Sequence, residues 1–191
     1  MITTKICLIR HGETSWNAER RLQGHTDIPL NARGVLQARQ MAQALKDIKL
    51  TFDVLYTSDL KRAADTANAI VELFGMDALV DSELRERHFG ALQGLSVSEA
   101  PLKHPDIWQA HIARNLEHDL GGGESIQQFA VRVQNALAKI QQRHEGKTIL
   151  LVSHGGTLDM MYRIASKQDL SAERIASVPN ASLNWITHSK A

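Results

Sequence analysis

The chain has 191 residues, 43% of them hydrophobic and 23% charged, which is the composition of one globular domain (residues 1–191) able to bury a sizeable core. Its formal net charge of +1 gives no basis for nucleic acid or a membrane surface as a partner, so any anion site has to be a local cluster. A single cysteine, Cys7, excludes an intrachain disulfide and a Cys-rich metal site, and with neither a leader-like segment nor a membrane-length apolar run the expected location is cytoplasmic.

Residues 3–9 read as a buried strand, and Cys7, inside "ICLI", reads as a core thiol. Asn31 is placed to cap a helix with Val35, Ala38, Ala42 and Leu45 on one face. A second strand is expected over 52–58. Ser58 then stands at an N-cap position before a helix whose stripe runs through Leu60, Ala63, Ala64, Ala67, Ile70, Val71 and Phe74. Residues 84–100, with Gly90 and Gly94, read as irregular, and 105–117 as helical. "GGGES" at 121–125 reads as the most flexible point. It leads into a long helix carrying Ile126, Phe129, Ala130, Val133, Leu137 and Ile140, with Ser125 and Gln128 at capping-box spacing. "KTILLVSHGG", 147–156, is another buried strand with a polar end. A further helix and a last strand near 181–187 close the chain. Strands alternating with amphipathic helices argue an α/β three-layer sandwich around a mostly parallel sheet.

Two buried strands end alike, in "LIRHG" and "LVSHG". Open α/β sheets bind ligands at the carboxyl ends of their strands, so His11 and His154 can meet there. Arg10 adjoins His11, and Arg62 follows the strand at 52–58, so both guanidiniums can join them. Two arginines, two imidazoles and helix-start N–H groups suit a doubly charged tetrahedral anion, hence phosphate.

The chain resembles the histidine phosphatase superfamily, the phosphoglycerate-mutase-like proteins, across essentially its whole length. The resemblance rests on "LIRHGETSWN", "RLQGHTDIPL" with "GVLQA", "SDLKRAADTA", "LRERHFGALQG", "GGGES" and "LLVSHGG", in the family's order. It implies that His11 is a nucleophile transiently phosphorylated. It also implies that Arg10, Arg62 and His154 hold the phosphoryl group and that Glu86 is the acid and then the base. Asn17, Gln23 and Gly24 match positions that line the pocket in similar proteins. Ser58 is a second phosphate contact or an N-cap, and the Gly155 N–H can donate to a phosphoryl oxygen. Phosphoryl transfer chiefly needs positioning and charge neutralisation, which arginines supply, so no metal or other cofactor is expected. Glu83 is the rival candidate for the acid.

His104, His111 and His118 recur every seven residues. On a helix that spacing separates neighbours by about 10 Å, too far to share one ion. Trp108 and Trp185 read as core or rim aromatics, and Trp16 as either a pocket wall or ordinary packing. Phe89 stands where the mutases of the family carry tyrosine, and Val97 where they carry lysine. Arg114 stands alone where they have an arginine pair, and Gly156 replaces an asparagine. These departures favour a phosphatase acting on a small phosphorylated metabolite. The alternatives are a cofactor-dependent phosphoglycerate mutase and a non-catalytic phosphate-binding module.

Overall fold

The computed structural model describes residues 2–173 and 178–190. Its centre is a five-stranded sheet of β1 (Ile2–Arg10), β2 (Val54–Thr57), β3 (Ala78–Val80), β4 (Thr148–Ser153) and β5 (Leu183–Lys190), in the order β3-β2-β4-β1-β5. All neighbours are parallel except β5, which runs antiparallel to β1 along the edge. Alternation along each strand decides the layers. Ile6, Leu8, Ile149 and Leu151 point to one face, against α6 (Ile126–Arg143) and α7 (Gly155–Ser166). Cys7, Ile9, Leu150 and Val152 point to the other, against α2 (Ala32–Asp47) and α3 (Lys61–Phe74). Cys7 is a core thiol, fully buried, and burial pushes its pKa up to about 12.

Three helices are shorter: α1 (Ser15–Ala18), α4 (Ala100–Lys103) and α5 (Pro105–Ile112). Residues 85–89 carry no helix or strand, between single-turn 3₁₀ segments at Ser82–Leu84 and Gly90–Leu92. The reading of 105–117 as helical runs too long. Ala113 ends α5, and Arg114 takes a left-handed φ of 51°. The short edge strand β3 was not anticipated, since three residues carry too little periodicity to be read.

Asn31 caps α2, accepting from the Gly34 N–H at 2.8 Å, and Ser125 with Gln128 forms the expected capping box on α6. Val35 does not belong to the buried face of α2: it is 40% exposed, while Gly34, Ala38, Met41, Ala42 and Leu45 are buried. Gly34 takes the inward position because the loop after β1 crosses there. A Cβ on Gly34 would overlap the Glu13 carbonyl oxygen, and one on Gly12 would sit against the Gly34 backbone.

Ser58 is not an N-cap. The chain stays extended through Leu60, the residue before α3, which makes no side-chain cap bond. The Lys61 N–H at the helix start is taken by the Asp27 carboxylate, 2.7 Å away, from a loop 34 residues earlier. The "GGGES" segment is held by hydrogen bonds: Asp119 accepts from the N–H groups of Gly121 and Gly122, and Glu124 N–H bonds to the His88 carbonyl. Gly121 and Gly122 take left-handed φ of 74° and 86°, and Gly123 serves close approach, for a Cβ there would overlap the His88 carbonyl oxygen. None of the helices among the described residues is long and apolar enough to cross a membrane.

The crossing of the β1 loop over α2 yields a prediction. Gly34→Ala should lower stability by about 1–3 kcal/mol, through overpacking against backbone that has no rotamer to retreat into. Val35→Ala, on the exposed side of the same turn, should stay within about 0.5 kcal/mol of the parent. Urea unfolding of the two variants checks this, and equal effects would contradict the assignment of faces.

Candidate active site

Adjacent parallel strands β2, β4 and β1 deliver their carboxyl ends to one place. The register pairs Arg10 with Ser153 and Thr57 with Val152, so Arg10, His11, Ser58 and His154 emerge side by side. The His11 and His154 rings lie 5.2 Å apart between centroids, tilted by 57°. His11 Nδ1 meets the Gly12 carbonyl oxygen at 2.6 Å. A carbonyl only accepts, so Nδ1 carries the proton and Nε2 keeps its lone pair. Among the described residues Nε2 has no hydrogen-bond partner.

Arg62, only 1% exposed, spends its guanidinium on three acceptors in two segments. Nε donates to His154 Nδ1 at 3.2 Å, and the two terminal nitrogens donate to the carbonyls of Thr26 (2.9 Å) and Gly24 (2.7 Å). His154 Nδ1 is therefore an acceptor, and its Nε2–H donates to Ser58 Oγ at 2.9 Å. The backbone of the β1 loop is fixed as well. Thr66 Oγ1 accepts from Gly12 N–H at 3.0 Å, and the Asn180 amide donates to the His11 carbonyl at 2.8 Å.

Burial, then Arg62, then Arg10 hold the His11 imidazole well below its usual pKa, so it stays neutral. Desolvation is the larger cause, ahead of the two guanidinium charges. His154 is depressed in the same way, by burial and then Arg62. Burial pulls the Arg62 guanidinium down to about 10, which leaves it charged at neutral pH.

The Glu86 carboxylate sits on the start of α7. It accepts from Gly156 N–H at 2.8 Å and from its neighbour Arg87 N–H at 2.9 Å. Helix-start amides are unpaired donors with a favourable dipole, so they seat a carboxylate. Only glycine permits it at 156, where a Cβ would overlap Glu86 Oε1. Glu83 points elsewhere, pairing with Lys139 at 2.9 Å.

These groups line a cleft of about 180 Å³, walled by Arg10, His11, Gln23, Gly24, Arg62 and Glu86, with Asn17 and Gly155 also on its surface. Arg10 also donates to the Val178 carbonyl, and its guanidinium packs over Gly155. Gln23 Oε1 is buried with no hydrogen-bond partner among the described residues, while Asn17 Oδ1 accepts from Thr14 N–H and hydroxyl. Ser58 and His154 are fully buried and lie behind the wall rather than on it. Arg21, Leu22, Phe89 and Gly156 line the cleft and were not among the expected site residues. The signal for Arg21 and Leu22 was present in "RLQGH", which also holds Gln23 and Gly24. Trp16 is absent from the cleft lining and abuts Gly94. Trp108 packs with Leu92, Ala100 and Leu120, and Trp185 is 45% exposed at the edge. Among the described residues no group of three or more His, Cys, Asp or Glu side chains is placed to hold a metal ion.

A sequence model described as histidine phosphatase superfamily (branch 1) matches residues 6–191. The chain belongs to the histidine phosphatase superfamily. It is 41% identical to phosphoglycerate mutase-like protein 4 of Arabidopsis thaliana, over 94% of this chain and 77% of that protein. It is 40% identical to a metal-independent phosphoserine phosphatase of the same plant, over 96% and 76%. Among solved structures, a phosphoserine phosphatase mutant of Entamoeba histolytica in complex with phosphoserine superposes with a TM-score of 0.84 at 28% identity. That alignment covers 95% of this chain and 89% of that one. These relatives share the family's fold of a mostly parallel sheet between helix layers.

A histidine phosphatase with this site should show its two buried imidazoles neutral where an ordinary one titrates. The folded pKa of each lies below the usual 6.5 and the unfolded pKa near it, so the unfolded chain takes up more protons as pH falls through 6.5. The stability these rings allow is complete above pH 6.5 and declines toward the folded values. In ¹⁵N-histidine spectra neither ring should titrate near 6.5. His11→Asn should flatten the fall of unfolding free energy below pH 6.5 by up to about 1.4 kcal/mol per pH unit. A His11 midpoint at 6.5 or above would contradict the burial argument.

Proposed function

We propose that the protein hydrolyses small phosphomonoesters through a phosphohistidine at His11, with Glu86 exchanging the protons. The observation that carries this is the protonation state of His11. Its Nδ1–H is held on Gly12, and its Nε2 lone pair opens to a cleft that also holds three arginines, Arg10, Arg21 and Arg62, and the Glu86 carboxyl group. In the first step Nε2 attacks phosphorus, the ester P–O bond breaks, and the Glu86 carboxylic acid gives its proton to the leaving oxygen. The new positive charge on the imidazole is met by the Nδ1–H bond to the Gly12 carbonyl. In the second step the Glu86 carboxylate takes a proton from water. The water oxygen bonds to phosphorus, the N–P bond breaks, and phosphate leaves.

Arg10 and Arg62 neutralise the equatorial oxygens, and Gln23, Gly24, Asn17 and Gly155 complete the wall. His154 acts through Arg62, whose Nε it orients, with Ser58 holding its tautomer. No metal enters these steps, so activity should survive a chelator in full.

His11→Ala should abolish turnover, whereas His154→Ala should retain a weak rate, reduced on the order of 10²-fold or more, as for one lost stabilising donor. Glu86→Gln should slow alkyl phosphates far more than p-nitrophenyl phosphate, because nitrophenolate departs without a proton. The same variant should accumulate an acid-labile, alkali-stable phosphoenzyme. Equal losses for both leaving groups, with no trapped intermediate, would remove Glu86 from the mechanism. Release of phosphate rather than isomerisation from 3-phosphoglycerate with 2,3-bisphosphoglycerate separates a phosphatase from a mutase. Turnover of any phosphomonoester rejects the non-catalytic binding module.

Beyond Glu86 and Gly156 the cleft opens into a chamber of about 490 Å³, whose wall includes Arg87, Phe89, His111, Arg114 and Glu173. Arg87 is 6% exposed, and among the described residues its guanidinium donates to the carbonyls of Glu124 and His118. Its Nη1 has no hydrogen-bond partner among the described residues. Burial holds its guanidinium down to about 10, still cationic at neutral pH. A buried cation on the leaving-group side favours an alcohol that bears a carboxylate. This agrees with the phosphoserine bound by the amoebal relative. Phosphoserine should therefore exceed phosphoethanolamine, which lacks only the carboxylate, by about 10-fold or more in kcat/KM, the scale of one charge-assisted hydrogen bond. Arg87→Met should erase most of that ratio, and an unchanged ratio would place the carboxylate elsewhere.

A further inference from the structure

The segment that carries Glu86, residues 83–88, belongs to no strand, yet its carbonyl groups are taken by side chains from around it. Ser153 Oγ at the end of β4 donates to the Leu84 carbonyl at 2.7 Å, and Thr157 Oγ1 on α7 to that of Arg85 at 2.8 Å. His25 Nε2 donates to the Glu86 carbonyl at 2.8 Å. One side chain on α6 does more than any of these. Arg132 Nη1 donates to the carbonyls of Glu83 (2.7 Å) and Arg85 (3.0 Å), and its Nη2 to that of Glu86 (3.1 Å). Its remaining donors go to the Glu124 carboxylate, Nε at 2.6 Å and Nη2 at 2.7 Å. Five N–H donors thus meet five acceptors, the full capacity of a guanidinium. Glu124 in turn reaches the far side of Glu86. Its carboxylate accepts from His88 N–H at 2.9 Å, and its own N–H donates to the His88 carbonyl at 2.9 Å.

Resting on the reading of Glu86 as the acid, we propose that Arg132, braced by Glu124, is a positioning residue that sets where the Glu86 carboxyl stands over the phosphoryl cleft. The planar fork grips the backbone on the approach to Glu86, and its carboxylate partner grips the backbone after it. Arg85 and Glu86 itself lie within the first grip and His88 within the second, so of residues 85–88 only Arg87 has a backbone that the pair leaves unclamped. General-acid transfer requires hydrogen-bond reach of the leaving oxygen, and a displacement of about 1 Å costs on the order of 10²-fold. The pair is about four-fifths buried, 19% exposed on each side. Burial alone raises the Glu124 carboxyl, but the hydrogen bonds from Arg132 and His88 outweigh it and hold it below its usual range, so the brace stays ionised at neutral pH.

Arg132→Lys tests this, because lysine keeps the charge beside Glu124 but offers three donors from one atom in place of a rigid fork. Its kcat/KM should fall about 10- to 100-fold for an alkyl phosphate and less than about 5-fold for p-nitrophenyl phosphate. The double variant Arg132→Lys/Glu86→Gln should lose no more than about threefold beyond Glu86→Gln alone on the alkyl phosphate, because both act on one proton transfer. If the lysine variant does not fold by circular dichroism, Arg132→Gln with Glu124→Gln removes both charges together and must show the same pattern. Equal losses across leaving groups, adding in full to those of Glu86→Gln, would mean that Arg132 is merely structural. If Glu86→Gln discriminates leaving groups and the Arg132 variants do not, the inference fails alone. If Glu86→Gln does not discriminate, the acid assignment fails and takes the inference with it.

Discussion

The buried guanidinium of Arg62 is the interaction on which the site depends. It arises in the first turn of α3 and reaches His154 after β4 and the loop carbonyls of Gly24 and Thr26. Three segments distant in sequence are thereby tied to one planar cation. A buried charge is costly, and a hydrophobic residue of similar size would often stabilise the fold as well or better. What the cation adds is a fixed geometry. It holds His154, lines the cleft, and helps burial keep His11 neutral.

The loop after β1 shows how backbone contacts fix His11. Gly12 and Gly34 let that loop pass directly over α2, Thr66 accepts the Gly12 N–H, and Asn180 holds the His11 carbonyl. The imidazole then has one way to hydrogen-bond its own backbone, through Nδ1, and the tautomer follows. On the opposite side, Gly156 lets the Glu86 carboxylate seat on the amides that start α7. A helix terminus of this kind attracts anions generally. Here it seats the Glu86 carboxylate.

Composition and periodicity made most of the fold legible. The apolar runs at 3–9 and 147–153 could only be buried strands, and the long helix from Ile126 repeated its apolar face without interruption. The paired endings "LIRHG" and "LVSHG" located the site, since parallel strands present the same end to the same edge. Arg10, His11 and Arg62 could be named because each falls at or just after a strand end, whereas Gln23, Gly24 and Glu86 were named through the resemblance to the family.

Other features lay outside the reach of sequence for a common reason: they depend on contacts between segments far apart in the chain. Val35 satisfied the helical spacing, but the crossing of the β1 loop turned Gly34 inward instead. Ser58 had the chemistry of an N-cap, but Asp27 reached the helix start first and left the hydroxyl to His154. His154 could be assigned to the site, not its seat behind the cleft wall, which Arg62 and Ser58 decide. Sequence by itself thus determined which elements form and which strand ends carry the chemistry, because those follow from local periodicity and turn residues. Only the tertiary structure decided which nitrogen of His11 bears the proton, where the Glu86 carboxylate rests and what Arg132 grips. Each of these is a hydrogen bond between groups that local sequence does not bring together.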